Sequence, residues 1–174
     1  MGSATLLAVR ILALNGSLQA RSSNLALLET ACAVAPEGVE VVLFDGLREL
    51  PHFNLDLEAN GSLPVVDRWR QAIEQSDALL IASPEYGFSL PGVLKNAIEW
   101  AIGTGELEGK LIAVTASVTH PERGRRGLSV LCDALGAVSA RIVGGAPIAR
   151  GPAFEREVAA LLQALVTAVA AKTP

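Results

Sequence analysis

The sequence predicts an α/β fold in which five parallel strands form a doubly wound sheet with helices on both faces. Three observations carry the prediction. Strand-like and helix-like segments alternate along 174 residues with no internal repeat. The first and third strand segments are nearly unbroken runs of Leu, Ile, Val and Ala, the pattern of strands covered on both faces. The length suits one domain, spanning 1–174, and 51% apolar against 18% charged residues supplies a core without the signature of disorder.

Taken in order, Thr5 to Leu14 reads as the first strand and Asn15 to Ser23 as the loop after it. Leu25, Leu28 and Cys32 recur at helical spacing through Ala35, and Pro36-Glu37-Gly38 supplies the stop. Val39 to Phe44 is a second strand. From Asp45 to Pro64 the periodicity dissolves among Gly, Pro, Asn and acidic residues, an irregular connection of the length that marks a functional or oligomer-facing loop. Pro64 opens a helix to Gln75, Asp77 to Ser83 is a third strand, and Pro84 to Ser89 is a tight loop.

Pro91 stands near the start of the next helix, where its missing N–H is least harmful, with Leu94, Ile98 and Ala101 on one face. Leu111 to Ala116 is a fourth strand, Arg125 to Leu135 a helix, and Val138 to Val143 a weaker fifth strand. Phe154, Val158, Leu161, Leu162, Leu165 and Val169 trace the stripe of a last helix. In such folds ligands bind beyond the carboxyl ends of the strands, which directs attention to the loops after strands one, three and four.

Charge narrows the function. Fourteen basic against eighteen acidic residues give a net charge of -4, with no basic run and few aromatics, so a nucleic-acid surface is not expected. Arg10 interrupts the opening apolar run, and Leu6 stands where a myristoylation signal wants Ser or Thr, so a cytoplasmic protein is expected. Val158 to Ala171 is too short for a bilayer and contains Gln163, so no membrane partner is expected. Cys32 and Cys132 lack ligand spacing and read as buried structural thiols; His52 and His120 suit neither a metal nor a catalytic role.

The first loop, Asn15-Gly16-Ser17-Leu18-Gln19-Ala20-Arg21-Ser22-Ser23-Asn24, leaves a buried strand and enters a helix. Unpaired backbone N–H groups and the helix dipole favour an anion there, with Ser17, Ser22 and Asn24 as added donors; equally, Ser22 or Ser23 can serve as the helix cap alone. Neither GxGxxG after the first strand nor GxxxxGK[ST] occurs, which disfavours a dinucleotide Rossmann site and a P-loop.

The most specific stretch is Ser83-Pro84-Glu85-Tyr86-Gly87-Phe88-Ser89-Leu90-Pro91-Gly92-Val93-Leu94-Lys95-Asn96-Ala97-Ile98-Glu99-Trp100. With Gly16-Ser17-Leu18 and Ser22-x-Asn24 it resembles the NADPH-dependent FMN reductase family, over about Val9 to Gly136 in matching order. The resemblance implies a flavodoxin-like sheet of order 2-1-3-4-5 and FMN held by three loops. Ser17, Gln19, Ser22, Ser23 and Asn24 would take the phosphate end, and Pro84, Glu85, Tyr86 and Gly87 would line the isoalloxazine ring, with Ser117 from the third loop. It also implies NADPH or NADH as co-substrate, a small acceptor such as a quinone, flavin, azo dye or chromate, and a homodimer or homotetramer.

Two departures stand out. The family usually carries Arg where this chain has Gln19, for which Arg21 could compensate, and often Asn where it has Gly87. The third loop, Ser117 to Gly127, departs from the Gly-rich segment usual there; its Arg123, Arg125 and Arg126 suit an NADPH phosphate, subunit ion pairs or a solvated helix start. A flavodoxin-type electron carrier and a non-catalytic module that has lost flavin are the alternatives to a reductase.

Overall fold

The computed structural model describes residues 9–61 and 63–172, so the Thr5 to Ala8 part of the expected first strand lies outside the described residues. Strands β1 (Val9–Asn15), β2 (Val39–Phe44), β3 (Ala78–Ala82), β4 (Leu111–Val118) and β5 (Arg141–Ala149) form one all-parallel sheet of order β2-β1-β3-β4-β5. The helices are α1 (Ser23–Ala33), α2 (Leu55–Ala59), α3 (Pro64–Glu74), α4 (Gly92–Glu99), α5 (Arg125–Ala137) and α6 (Phe154–Lys172). This is the expected flavodoxin-like arrangement.

Side-chain alternation along the strands builds two cores. Ala78, Leu80 and Ala82 of β3, with Ile11 and Ala13 of β1, pack against α1 and α6. Leu79 and Ile81, with Leu12 and Leu14, face α3, α4 and α5 on the other side. Every residue of β3 is buried, which is why its sequence shows no alternation. Because β1 pairs with β2 on one edge and β3 on the other, strand order reverses there, and a crevice opens beyond their carboxyl ends.

The Asp45 to Pro64 connection is more ordered than its composition suggests. It holds a 3-10 turn, Gly46–Arg48, and the five-residue α2, whose cap Asn54 accepts from Asp56 N at 2.8 Å. Asn96 and Trp100 of the Lys95 to Trp100 stretch fasten it. Asn96 Nδ2 and Trp100 Nε1 both donate to the Pro51 carbonyl, at 2.9 and 2.8 Å, while Asn96 Oδ1 accepts from Phe53 N. A five-residue helix is too short to show a legible period, so sequence alone read a loop.

Three further expectations need correction. Strand β5 begins at Arg141 rather than Val138, because α5 continues to Ala137 and Ser139 turns the chain with φ 58°. It continues past the expected end at Val143 through Gly144, Gly145 and Pro147, residues that are tolerated on an edge strand. Cys32 is exposed and Cys132 half-buried. The buried stripe of α1 is Asn24, Leu27, Leu28 and Ala31, so Cys32 falls at its margin. Partial burial holds both thiols above the usual cysteine pKa, which leaves them unactivated.

Candidate functional site

A cleft of about 740 Å³ lies beyond the carboxyl ends of the central strands. Ser17, Gln19, Ser22, Ser23 and Asn24 line one wall; Pro84, Glu85 and Tyr86 line another; Ser117 comes from the end of β4. Arg21 and Gly87, the other two expected site residues, do not line it. The structure therefore brings the three loops together, around the β1/β3 switch point.

The first wall is held by its own side chains. Asn15 Oδ1 accepts from Ser17 N at 3.1 Å, and Ser17 Oγ accepts from Gln19 N at 3.3 Å. Ser22 is the N-cap of α1, accepting from Asn24 N at 3.2 Å and Leu25 N at 3.4 Å. Capping uses only acceptor capacity, so the Ser22 hydroxyl keeps its proton to donate. Asn24, buried in the α1 stripe, accepts from Ser117 N at 2.8 Å and ties the first loop to β4.

Gly16 has a packing duty. A Cβ there would stand 2.6 Å from Leu94 Cδ1 and 3.3 Å from the Ala82 carbonyl, so only glycine lets the loop cross the end of β3 over α4. Arg48, from the 3-10 turn, donates to the Leu18 carbonyl, a contact between distant segments that no local motif announces.

The second wall is a tight turn. Tyr86 N donates to the Ser89 carbonyl and Ser89 N to the Tyr86 carbonyl, each at 3.0 Å, with Gly87 at φ 57° and Phe88 at φ 62°. Positive φ at both central residues makes a type I′ turn, and Gly87 meets that requirement without strain. Glu85 points toward α5: its Oε2 accepts from Gly127 N at 2.8 Å. A Cβ on Gly127 would approach the Glu85 Cβ and Cγ to 3.0 Å, so glycine permits this close docking.

Against known proteins, the family model for NADPH-dependent FMN reductases matches residues 9–154. The chain belongs to the NADPH-dependent FMN reductase family. It is 44% identical over 93 residues to a Pseudomonas aeruginosa protein named NAD(P)H-dependent FMN reductase, covering 53% of this chain and 50% of that protein. It is 43% identical over 97 residues to an NAD(P)H:quinone oxidoreductase of Solanum tuberosum, covering 53% and 50%. The matched stretch thus spans about half the length of these relatives. Among solved structures, the flavoenzyme NAD(P)H:(acceptor) oxidoreductase FerB of Paracoccus denitrificans superposes with a TM-score of 0.78 at 26% identity, over 94% of this chain and 98% of that one.

The FMN that the family name implies can be tested against this cleft. Ser117 Oγ is buried yet has no hydrogen-bond partner among the described residues. A buried hydroxyl without a partner is unfavourable, and a polar group bound in the cleft that Ser117 lines would relieve it. In the same cleft the Ser22 hydroxyl, which caps α1 through its acceptor capacity alone, keeps a proton that suits a phosphate oxygen. The residues present fit the group.

The third loop separates its arginines. Arg125, which does not line the cleft, pairs with Glu122 at 3.5 Å and donates to the Pro121 carbonyl. Arg123 and Arg126 line the cleft, and Arg126 lies over the Phe88 ring at 4.7 Å. Phe88 and Arg150 also line it, and sequence reasoning assigned neither. Arg150 was hidden because the fifth strand was placed too early. Phe88 had a weak signal, a large aromatic inside a turn. No group of His, Cys, Asp or Glu among the described residues is arranged for a metal ion.

Proposed function

We propose that this chain is a flavin-dependent NAD(P)H oxidoreductase that holds FMN in the cleft and serves quinones or similar small acceptors, flavins, azo dyes and chromate among them. The observation that carries the reading is the unpartnered Ser117 hydroxyl, set in the same cleft as the donor-rich start of α1 and the type I′ turn. The family match and the relatives' names support it. Bound there, FMN would supply the chemistry: hydride acceptance from NADPH or NADH, then reduction of the acceptor.

The chain's own part is binding and orientation. The Ser17 and Ser22 hydroxyls would take the phosphate end, while Pro84, Glu85 and Tyr86 would form the wall for the ring. The Glu85 carboxylate, accepting from Gly127 N, fixes that wall to α5. Tyr86, 55% exposed, leaves the mouth of the cleft open to incoming substrates. A homodimer or homotetramer in the cytoplasm completes the reading; exposed Leu55 and Ile102 offer apolar surface for a second copy.

Anaerobic mixing of the FMN-reconstituted chain with NADPH, without any partner protein, tests the function. Prompt bleaching of the flavin, followed by reoxidation on adding a quinone, is the expected outcome. Flavin that stays oxidised with both NADPH and NADH overturns it.

A further inference from the structure

Phe88 is an anomaly that the flavin reading leaves unexplained. It is 66% exposed, bulky, and held at φ 62°, a region that non-glycine residues enter only with strain. Such strain persists where the surroundings impose it, often at functional sites. Here Arg126 lies over the ring. A guanidinium held over a ring by cation–π attraction spends none of its N–H donors there, so Phe88 positions Arg126 without consuming its hydrogen bonds.

Two more guanidinium groups share that cleft. Arg123 is anchored by its backbone N–H to the His120 carbonyl at 3.0 Å, and Arg150 by its own to the Val118 carbonyl at 2.9 Å. The carboxylates lining the same cleft are engaged elsewhere: Glu85 with Gly127 N, Glu122 with Arg125. Among the described residues no carboxylate pairs with Arg123, Arg126 or Arg150. Three arginines without a carboxylate partner among the described residues thus line one cleft in a chain of net charge -4, a local concentration of positive charge on an acidic protein.

We infer that Arg123, Arg126 and Arg150, with Phe88 as the positioning residue for Arg126, form a rim that binds the 2′-phosphate of the electron donor and selects NADPH over NADH. The inference rests on the proposed function. Planar guanidinium groups match a phosphate monoester, a group that NADPH carries and NADH lacks. The first wall is left for the flavin phosphate, so the two anions occupy separate parts of the cleft.

The test uses the FMN-loaded full-length chain. Wild type should have the lower KM for NADPH, and Arg126→Gln or Arg150→Gln should raise the NADPH-to-NADH KM ratio about tenfold, the loss of one charge-assisted hydrogen bond. Phe88→Leu should move the ratio in the same direction by less. By calorimetry, adenosine 2′,5′-bisphosphate should bind more tightly than 5′-AMP, with the difference shrinking in the arginine variants. A wild type indifferent to the phosphate overturns the rim. So do variants that shift both dinucleotides in parallel, or that raise only the KM of an anionic acceptor such as a quinone sulfonate. These results leave the flavin reading standing; that reading fails separately if wild type oxidises neither dinucleotide.

Discussion

The two walls of the cleft are built on opposite plans. The β1–α1 wall is built on the buried Ser17, Ser22 and Asn24 and is held by hydrogen bonds within and around the loop: Asn15 with Ser17 N, Ser17 with Gln19 N, Ser22 with its own helix, Asn24 with Ser117 N. The opposite rim is made of large, exposed side chains: Tyr86 and Phe88 on the turn, where Phe88 has positive φ, and Arg126 from the start of α5. A shape fixed before binding suits a group that stays bound, because the ordering cost is met in folding. Exposed aromatic and cationic side chains suit molecules that come and go. The difference teaches that residence and exchange can be assigned to separate elements of one cleft.

Substitutions can break that contrast, and the largest effect belongs to the buried wall. Gly16→Val would drive its side chain into Leu94 and the end of β3, and should destabilise the fold by about 3 kcal/mol in urea titration. A cost within experimental error would show that the first loop is not packed as described.

Ser117→Ala sharpens the comparison because its two effects run in opposite directions. Removing an unpartnered hydroxyl should leave the free protein as stable, or more so by under about 1 kcal/mol, while FMN affinity falls about tenfold. Loss of stability together with unchanged affinity would assign Ser117 to the core alone.

Phe88→Gly is the smallest of the three in stability. It releases the positive-φ strain of roughly 1 kcal/mol but gives up an exposed cation–π contact of similar size and adds freedom to the unfolded chain. Thermal denaturation should therefore place it within about 1 kcal/mol of wild type. A much larger loss would make the turn part of the core.

The same contrast explains what was legible in the sequence. Buried apolar runs announced β1, β3 and β4, and the Ser/Asn-rich first loop announced its wall, because burial and capping leave strong local patterns. Asn24 sat in plain view as a polar residue on a helix stripe. Contacts between distant segments leave no such trace. Arg48 on the Leu18 carbonyl and Glu85 on Gly127 N join residues 30 and 42 positions apart. Edge strand β5 misled for a physical reason: it pairs on one side only, so Gly144, Gly145 and Pro147 are tolerated in it, and its misplacement concealed Arg150.

Titrating the purified chain with FMN and, separately, with riboflavin, while following quenching of flavin fluorescence, tests the central claim most directly. On the proposed placement of the phosphate at the first wall, FMN should saturate the protein at concentrations where riboflavin, lacking that group, binds far more weakly. Equal affinities, or no quenching by either, would contradict it.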